Sequence, residues 1–429
     1  MPIERFPASR RGFLAATAFA AAVPVIDAPA ARAGPGQAAP VPGDGISPSP
    51  ALALQWYDLT GQVVAAAAYA EPVTQSRAWA ISWLAAARAL RRAGDPQLAT
   101  AAFASALRDV LVSLVPAQQP QLDAALAATL AGLPDGRAKS RGVAEGRYQA
   151  GVVIAQRTGD GLDTASVDIP WTPPAAAPGA WQPAPPGFGP AIRAGQGQAR
   201  PFLLTSGSQF RPGPPPALTS RTYLTSLAEV HALGGAASTV RTADRTSTAL
   251  FWEPASNVIY GQVLRAAVAA GGLSFREQVA LVAAFHVITT DAQIAIYDAK
   301  FRYARWRPVT AIQAGTAGRD PGWLPVFPTP RHPEYPSGHC GYAAAAELAL
   351  GAFLGPRAPQ PAGATSPDAP GVTHIYRSWS QITDENVNAR VWGGIHLRPS
   401  AETGVEVGRQ AAAYGLARLS SIGLPGKLW

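Results

Sequence analysis

The sequence predicts an all-α fold of two helical bundles joined by an irregular connector. Three observations carry this. Apolar residues recur at three- and four-residue spacing through most of the chain, alternating strand patterns are scarce, and the 42 Gly and 42 Pro gather between the apolar stretches. The first bundle spans residues 52–164. There "QSRAWAISWLAAARALRRAG" (75–94) has helical periodicity and ends in Gly. "ATAAFASALRDVLVSLV" and "QQPQLDAALAATLAGL" continue the pattern, and "GRAKSRGVAEGRYQAGVVIAQRTGDG" closes on a Gly-rich turn. Residues 165–218 form the connector, because "DIPWTPPAAAPGAWQPAPPGFGP" and "FRPGPPPAL" hold too much proline for a regular helix. From 219 to 429 helices return as a second bundle. Ser274 and Glu277 make a capping box that opens "SFREQVALVAAFHVITTDAQIAIYDAK". That helix and "RAWAISWLAAARA" (77–89) each run from an Arg into a similar apolar stripe; an old duplication and two unrelated amphipathic helices both fit.

With 429 residues, 48% hydrophobic and 14% charged, the chain can bury one large core or two moderate ones. The net charge of +8 is a mild excess. No Lys/Arg-rich block with interleaved aromatics occurs, so nucleic acid is not an expected partner, and the excess suits a small anion. Cys340 stands alone, which excludes an intramolecular disulfide and reads as a packing residue. Residues 1–33 read as a twin-arginine signal peptide: Arg10-Arg11 precede a short apolar run, and Ala31-Arg32-Ala33 is a small-x-small cleavage site. Residues 34–51 form a flexible lead-in. The expected destination is the periplasm or the exterior. No later segment reads as membrane-spanning, so stable membrane insertion is not expected. Nothing fixes an oligomeric state.

Three separated segments hold the unusual polar groups. In "KFRYARWRP", Lys300 and Arg307 lie two helical turns apart, so both would project from one side; a solvated basic face with Arg302 and Arg305 is the alternative. In "RHPEYPSGHCGYAAAA", a Pro-Ser-Gly-His run meets an alanine-rich helix. Gly338 permits close approach to a ligand, Ser337 and the local N–H groups donate, and His339 can move a proton; a plain turn with a helix cap also fits. In "ARVWGGIHLRPS", Gly393-Gly394 would bend Arg390 and His396 onto one centre; a helix end with a satisfied histidine is the alternative. Taken together, three cations, two histidines and small-residue donors suit a phosphate-like tetrahedral oxyanion.

These residues, in the order Lys-x6-Arg-Pro, Pro-Ser-Gly-His and Arg-x5-His, resemble the pattern of the vanadium-dependent haloperoxidase and type-2 phosphatidic acid phosphatase superfamily. The chain looks like a bacterial exported haloperoxidase-like member over residues 52–420, including "RTGDG", "RTADRT", "ALFWEP" and "DAKFRYARWRPVTAI". The resemblance implies two helical bundles with the active site in the C-terminal one. It implies one vanadate per chain, ligated by His396 as the metal ligand, in a site phosphate could also occupy. Lys300, Arg307 and Arg390, with Ser337 and the Gly338 N–H, would hold the oxyanion, and His339 would be the acid/base. The partners would be hydrogen peroxide, halide and a small organic acceptor. Algal bromoperoxidases of the family carry His seven residues before the acid/base histidine, where fungal chloroperoxidases carry Phe. His332 therefore leans toward bromide or iodide, unless it is only a surface-loop residue. The same scaffold serves phosphomonoesterases, in which His396 would form a phosphohistidine. A non-catalytic oxyanion-binding protein is the reading from another class. The chain departs from the pattern at Tyr297, where Trp is frequent, at Ala389, where the phosphatase-like signature has Ser, and at Ser400, where it has Asp. No carboxylate to orient His396 or pair with Arg390 is evident. His231, His286 and His374 read as packing residues.

Overall fold

Proline at a helix start costs no hydrogen bond and presets the first turn. In the computed structural model, which describes residues 49–270, 272–315 and 318–426, three early helices begin this way: α1 (Pro50–Ala66), α2 (Pro72–Leu90) and α3 (Pro96–Leu114). α4 (Gln119–Ala131), α5 (Arg137–Arg157) and the single turn α6 (Thr164–Val167) follow. α5 packs closely on α3 because Gly142 and Gly146 carry no Cβ; one built there would come 2.4 Å from Leu98 O and Ala102 O, respectively. The twin-arginine leader and most of the lead-in lie outside the described residues, and Pro50 and Ala51, expected in the lead-in, already belong to α1.

Beyond the single turn α6 at its start, the connector holds only short 3-10 turns among its helical pieces, as its prolines demand. It is nonetheless fastened. Asp291 accepts from the N–H groups of Phe202, Leu203 and Leu204 at 2.7, 2.7 and 3.0 Å. Burial pushes that carboxyl up to about 6 against those three bonds.

The later elements are α7 (Arg221–Gly234), α8 (Ala243–Phe251), α9 (Ser256–Ala269), α10 (Phe275–Tyr303), α11 (Pro308–Ala314), α12 (Gly338–Leu354), strands β1 (Arg357–Ser366) and β2 (Ala369–Ser378), then α13 (Trp379–Trp392) and α14 (Arg398–Leu416). The capping box of Ser274 and Glu277 opens α10, as expected. α10 is the central element and packs against α2, α12 and α14. One apolar cluster joins α1–α3 to α9, α10 and α12–α14. By length and apolar composition α3 and α10 are each long and apolar enough to cross a membrane, a test that buried core helices also pass. α10 turns 94% of its apolar window toward the chain's own interior.

Among the described residues the architecture is all-α apart from one antiparallel hairpin, in which Ala364 pairs with His374. The hairpin was not expected. Pro359 and Pro361 mask its strand pattern, and the buried positions of its first strand, Ala362, Ala364 and Ser366, are all small.

Candidate functional site

Residues four and three apart on a helix share a face. α10 thereby presents Gln293, Tyr297 and Lys300 together at its C-terminal end. Ala304, in the left-handed region at φ +45°, then ends the helix. Arg307 therefore does not stand two turns beyond Lys300 on one helix, as the spacing suggested; it is the extended N-cap of α11. Both still reach one pocket, because the loop 328–337 lies across them. Lys300 Nζ donates to Pro333 O (2.9 Å) and Glu334 O (3.0 Å). Arg307 donates to His332 O (2.8 Å) and Ile395 O (2.9 Å), and its Nη1 lies 3.4 Å from His396 Nε2. Neither is part of a solvated basic face: both are 0% exposed, whereas Arg302 is exposed.

α12 begins at Gly338, with Ser337 as its N-cap; the Ser337 oxygen, wholly buried, accepts from the Cys340 N–H. Gly338 and His339 thus occupy the first turn, where free N–H groups favour an anion. His339 Nε2 donates to Pro254 O at 2.9 Å, which leaves Nδ1 as the atom able to take a proton. Arg390 comes from the last turn of α13 and donates to Trp252 O. The Gly393-Gly394 turn then returns the chain to His396. Gly394 is required there: its φ is +80°, and a Cβ would come 2.3 Å from Gly234 O.

Gly338, His339, His332 and His396 line one cavity of about 210 Å³, with Tyr297 and Gln293 on a neighbouring wall. His332 is no loose loop residue: it is buried, and its Nδ1 lies 2.9 Å from Arg307 Nη2. The other three histidines do not line this cavity. His286 is buried against Trp79, His374 bonds Glu385, and His231 lies 3.6 Å from Asp320. Cys340 is a packing residue, and burial pushes its thiol up to about 11.

The sequence reading missed Glu334. Its Oε1 accepts from His396 Nδ1 (3.1 Å) and from the Leu397 N–H (2.9 Å), and it is 2% exposed. This is the orienting carboxylate that Ser400 could not supply. The available signal was an acidic residue inside "HPEYPSGH", a run otherwise built for turns and caps. Also missed were the carbonyls of Trp252 and Pro254, which no side-chain pattern reveals, and Arg193 of the connector, which lines the cavity. Arg390 has no hydrogen-bonded carboxylate among the described residues; Glu253 acts on it only through charge.

Burial sets the electrostatics. It holds His396 well below the usual imidazole range, reinforced by Arg307 and Lys300, and holds His339 there as well, reinforced by Arg390. Both rings are neutral near pH 7. With its proton on Nδ1 facing Glu334, His396 presents an unprotonated Nε2 to the pocket, with Arg307 Nη1 3.4 Å away. Burial, then Arg307, pushes Lys300 down, and burial lowers Arg307 and Arg390 to about 10 each. The Glu334 carboxyl is raised by burial and drawn back by the Leu397 N–H, Arg307 and Lys300.

This donor set fits a tetrahedral oxyanion. Arg390 Nε is buried without a partner among the described residues, and the Cβ that Gly338 lacks would stand 3.7–3.9 Å from Gln293, Tyr297 and Lys300. Among the described residues no cluster of three His, Cys, Asp or Glu suits a bare metal cation.

Residues 280–422 match the family model described as the VCPO second helical-bundle domain. The fold is similar to that of a bacterial vanadium-dependent iodoperoxidase, at 23% identity and TM-score 0.74, over 88% of this chain and 98% of that one. It is also similar to a bacterial vanadium-dependent chloroperoxidase in holo form (16% identity, TM-score 0.62, 87% of this chain and 94% of that one). The apo form of such a chloroperoxidase matches at 17% identity and TM-score 0.62, over 83% of this chain and 96% of that one. No curated protein sequence matches the chain.

Proposed function

We propose that this chain, a member of the vanadium haloperoxidase superfamily, is a vanadate-dependent haloperoxidase that oxidises halide with hydrogen peroxide. The observation that carries the reading is the state of His396. Its Nδ1 proton is held by Glu334 at 3.1 Å, so a neutral Nε2 lone pair is offered inside a ring of buried cations. Lys300, Arg307 and Arg390 would neutralise vanadate oxygens, Gly338 gives room for their approach, and Ser337 caps the helix that carries its N–H. His339 would take or give a proton at Nδ1, its ring oriented by Pro254 O. What vanadate supplies when bound is Lewis-acid activation of hydrogen peroxide toward halide. His332 supports bromide or iodide over chloride as the preferred halide. The leader of residues 1–33 supports export through the twin-arginine route.

Glu334 also favours a second reading. A histidine oriented by a carboxylate suits phosphomonoester hydrolysis. Nε2 would attack phosphorus as the P–O ester bond breaks, the departing alkoxide would take the proton of the monoprotonated phosphate ester, relayed through His339 Nδ1, and His339 Nδ1 would then accept a proton from the water that cleaves the phosphohistidine. Purified protein assayed with and without orthovanadate separates the two. Peroxide-driven bromination that requires orthovanadate is the expected result. Hydrolysis of p-nitrophenyl phosphate blocked by orthovanadate would establish the phosphatase instead. Tight phosphate binding with neither activity would leave an oxyanion-binding protein.

A further inference from the structure

Two of the backbone carbonyls that serve the pocket lie in the short link, residues 252–255, that joins α8 to α9. Trp252 O accepts from Arg390, and Pro254 O accepts from His339 Nε2 at 2.9 Å. The Glu253 N–H bonds back to Leu250 O at 3.0 Å, and Pro254 has no N–H to add a further tie. The side chain of Trp252 supplies the missing hold. It is wholly buried, and its Nε1–H donates to Glu385 Oε1 at 2.6 Å. Glu385 and Arg390 stand five residues apart on α13, so they leave different sides of that helix. Both nevertheless grip Trp252, Glu385 at the indole and Arg390 at the carbonyl. The tryptophan is thereby clamped to α13 at two points.

The hairpin completes the clamp. The same Glu385 oxygen accepts from His374 Nδ1 at 2.7 Å and from the Tyr376 hydroxyl at 2.8 Å, both on β2. A carboxylate only accepts, so all three partners donate and the His374 ring carries a proton on Nδ1. Burial, then Glu385, push the Tyr376 hydroxyl far above its ordinary value, which keeps it a donor. His374 also lies flat on Phe251, the neighbour of Trp252, with ring centroids 3.9 Å apart and planes at 6°. Three donors converging on one oxygen are best served by a full negative charge, because charge-assisted bonds are the stronger kind. None of Trp252, His374, Tyr376 and Glu385 lines the cavity itself, so any effect they have on a ligand there passes through Arg390 and His339.

We infer that Glu385 is a positioning residue for the oxyanion pocket: through Trp252 it sets where the carbonyls of residues 252 and 254 meet Arg390 and His339. The inference rests on the haloperoxidase reading for its effect on turnover, whereas its effect on orthovanadate binding holds for either proposed activity. The test is a double-mutant cycle on the full chain, read by calorimetric titration of orthovanadate. Glu385→Gln keeps the shape and removes the charge, and Trp252→Phe keeps an aromatic ring and removes the Nε1 donor. Each should weaken orthovanadate binding about tenfold. The double variant should lose no more than about twofold beyond the larger single loss, because the second change removes a bond already broken. Tyr376→Phe removes a hairpin bond to Glu385 and spares the indole bond, so its affinity should stay within about twofold of the parent. Bromide turnover of Glu385→Gln at saturating orthovanadate should also fall about tenfold, through His339. Thermal melts identify a variant that fails to fold, and if either partner of the cycle does, the other is read against Tyr376→Phe. Parent-like affinity in folded Glu385→Gln overturns the inference, as do losses that multiply in the double variant. An equal loss in Tyr376→Phe overturns it too, since Glu385 would then act by anchoring the hairpin. A parent that binds orthovanadate and never halogenates rejects the haloperoxidase reading, and the binding cycle still decides the role of Glu385.

Discussion

Replacing Glu334 separates its two contributions to the pocket. One oxygen, Oε1, accepts from both His396 Nδ1 and the Leu397 N–H. Glu334→Gln keeps an oxygen there but removes the charge. Glu334→Ala removes both and leaves two buried N–H groups unpaired, each costing about 1–3 kcal/mol. It also lets the His396 proton move to Nε2, which closes the lone pair meant for the oxyanion. Loss of such an orienting partner typically weakens binding 10–100-fold. Expected orthovanadate affinity therefore falls about tenfold for Gln and about a hundredfold for Ala, or roughly 1.4 and 2.7 kcal/mol. The pH dependence moves as well. Burial and Arg307 lower Lys300, and Glu334 raises it. Without Glu334, Lys300 loses its proton at a lower pH, so the alkaline limb of binding shifts toward acid in both variants. Calorimetric titration of orthovanadate between pH 6 and about 9 measures both effects. Parent-like affinity and an unmoved alkaline limb in folded Glu334→Ala would refute the reasoning.

Other substitutions probe separate parts of the structure. His339→Ala should bind orthovanadate nearly as well as the parent yet lose about 10²–10⁴ in turnover; unaltered turnover removes it from proton transfer. His332→Phe withdraws a donor from Tyr297 and should shift halide preference toward chloride, and an identical halide profile in competition assays would contradict this. His286 stacks on Trp79 at 5.0 Å with both ring nitrogens unpartnered among the described residues, and burial holds it at about 3. Because that value lies below the unfolded one, the uncharged ring's stability is complete above about pH 6.5 and is lost as pH falls toward 3, by roughly 3 kcal/mol between pH 7 and pH 4. His286→Phe should flatten that acid limb in urea unfolding, and an equally steep limb would locate the acid sensitivity elsewhere. Asp291→Ala orphans three connector N–H groups and should cost about 3–5 kcal/mol, with hydrogen exchange rising at Phe202–Leu204; unchanged exchange there would show that the anchor is dispensable.

The helices were legible because their signals are local. Pro72 and Pro96 at N-termini, the Ser274–Glu277 box and the Gly393-Gly394 stop all act within a few residues. The motif residues Lys300, Arg307, Gly338, His339 and His396 were legible as a set, but the route that joins them was not. Lys300 and Arg307 meet through a helix end at Ala304 and a new N-cap, which residue spacing alone cannot distinguish from two continuous turns. The hairpin was hidden by its own prolines. Glu334 was hidden because one acidic residue in a loop carries no periodicity. Arg193 was hidden because its place depends on a left-handed backbone angle at a non-glycine residue, which propensity argues against.

The pocket's charge balance explains why prolines crowd its loops. Lys300, Arg307 and Arg390 are each at most 1% exposed, which would be costly for bare cations. They are held mainly by backbone carbonyls: Pro333 and Glu334 for Lys300, His332 and Ile395 for Arg307, Trp252 for Arg390. Pro254 O likewise accepts from His339, a neutral ring. Carbonyls solvate a cation without cancelling it. Three carboxylates in their place would neutralise the cup and repel the anion it is shaped to take. Pro254 and Pro333 each contribute an acceptor from a residue with no N–H of its own, so no donor competes for the space beside the His339 ring or the Lys300 ammonium. Glu334 is the exception, and its Oε1 is spent on an imidazole and a backbone N–H rather than on a guanidinium. The positive charge of the three cations thus remains available to the ligand, and the proline-rich sequence around "RHPEYPSGH" and "FWEP" is part of how it is kept available.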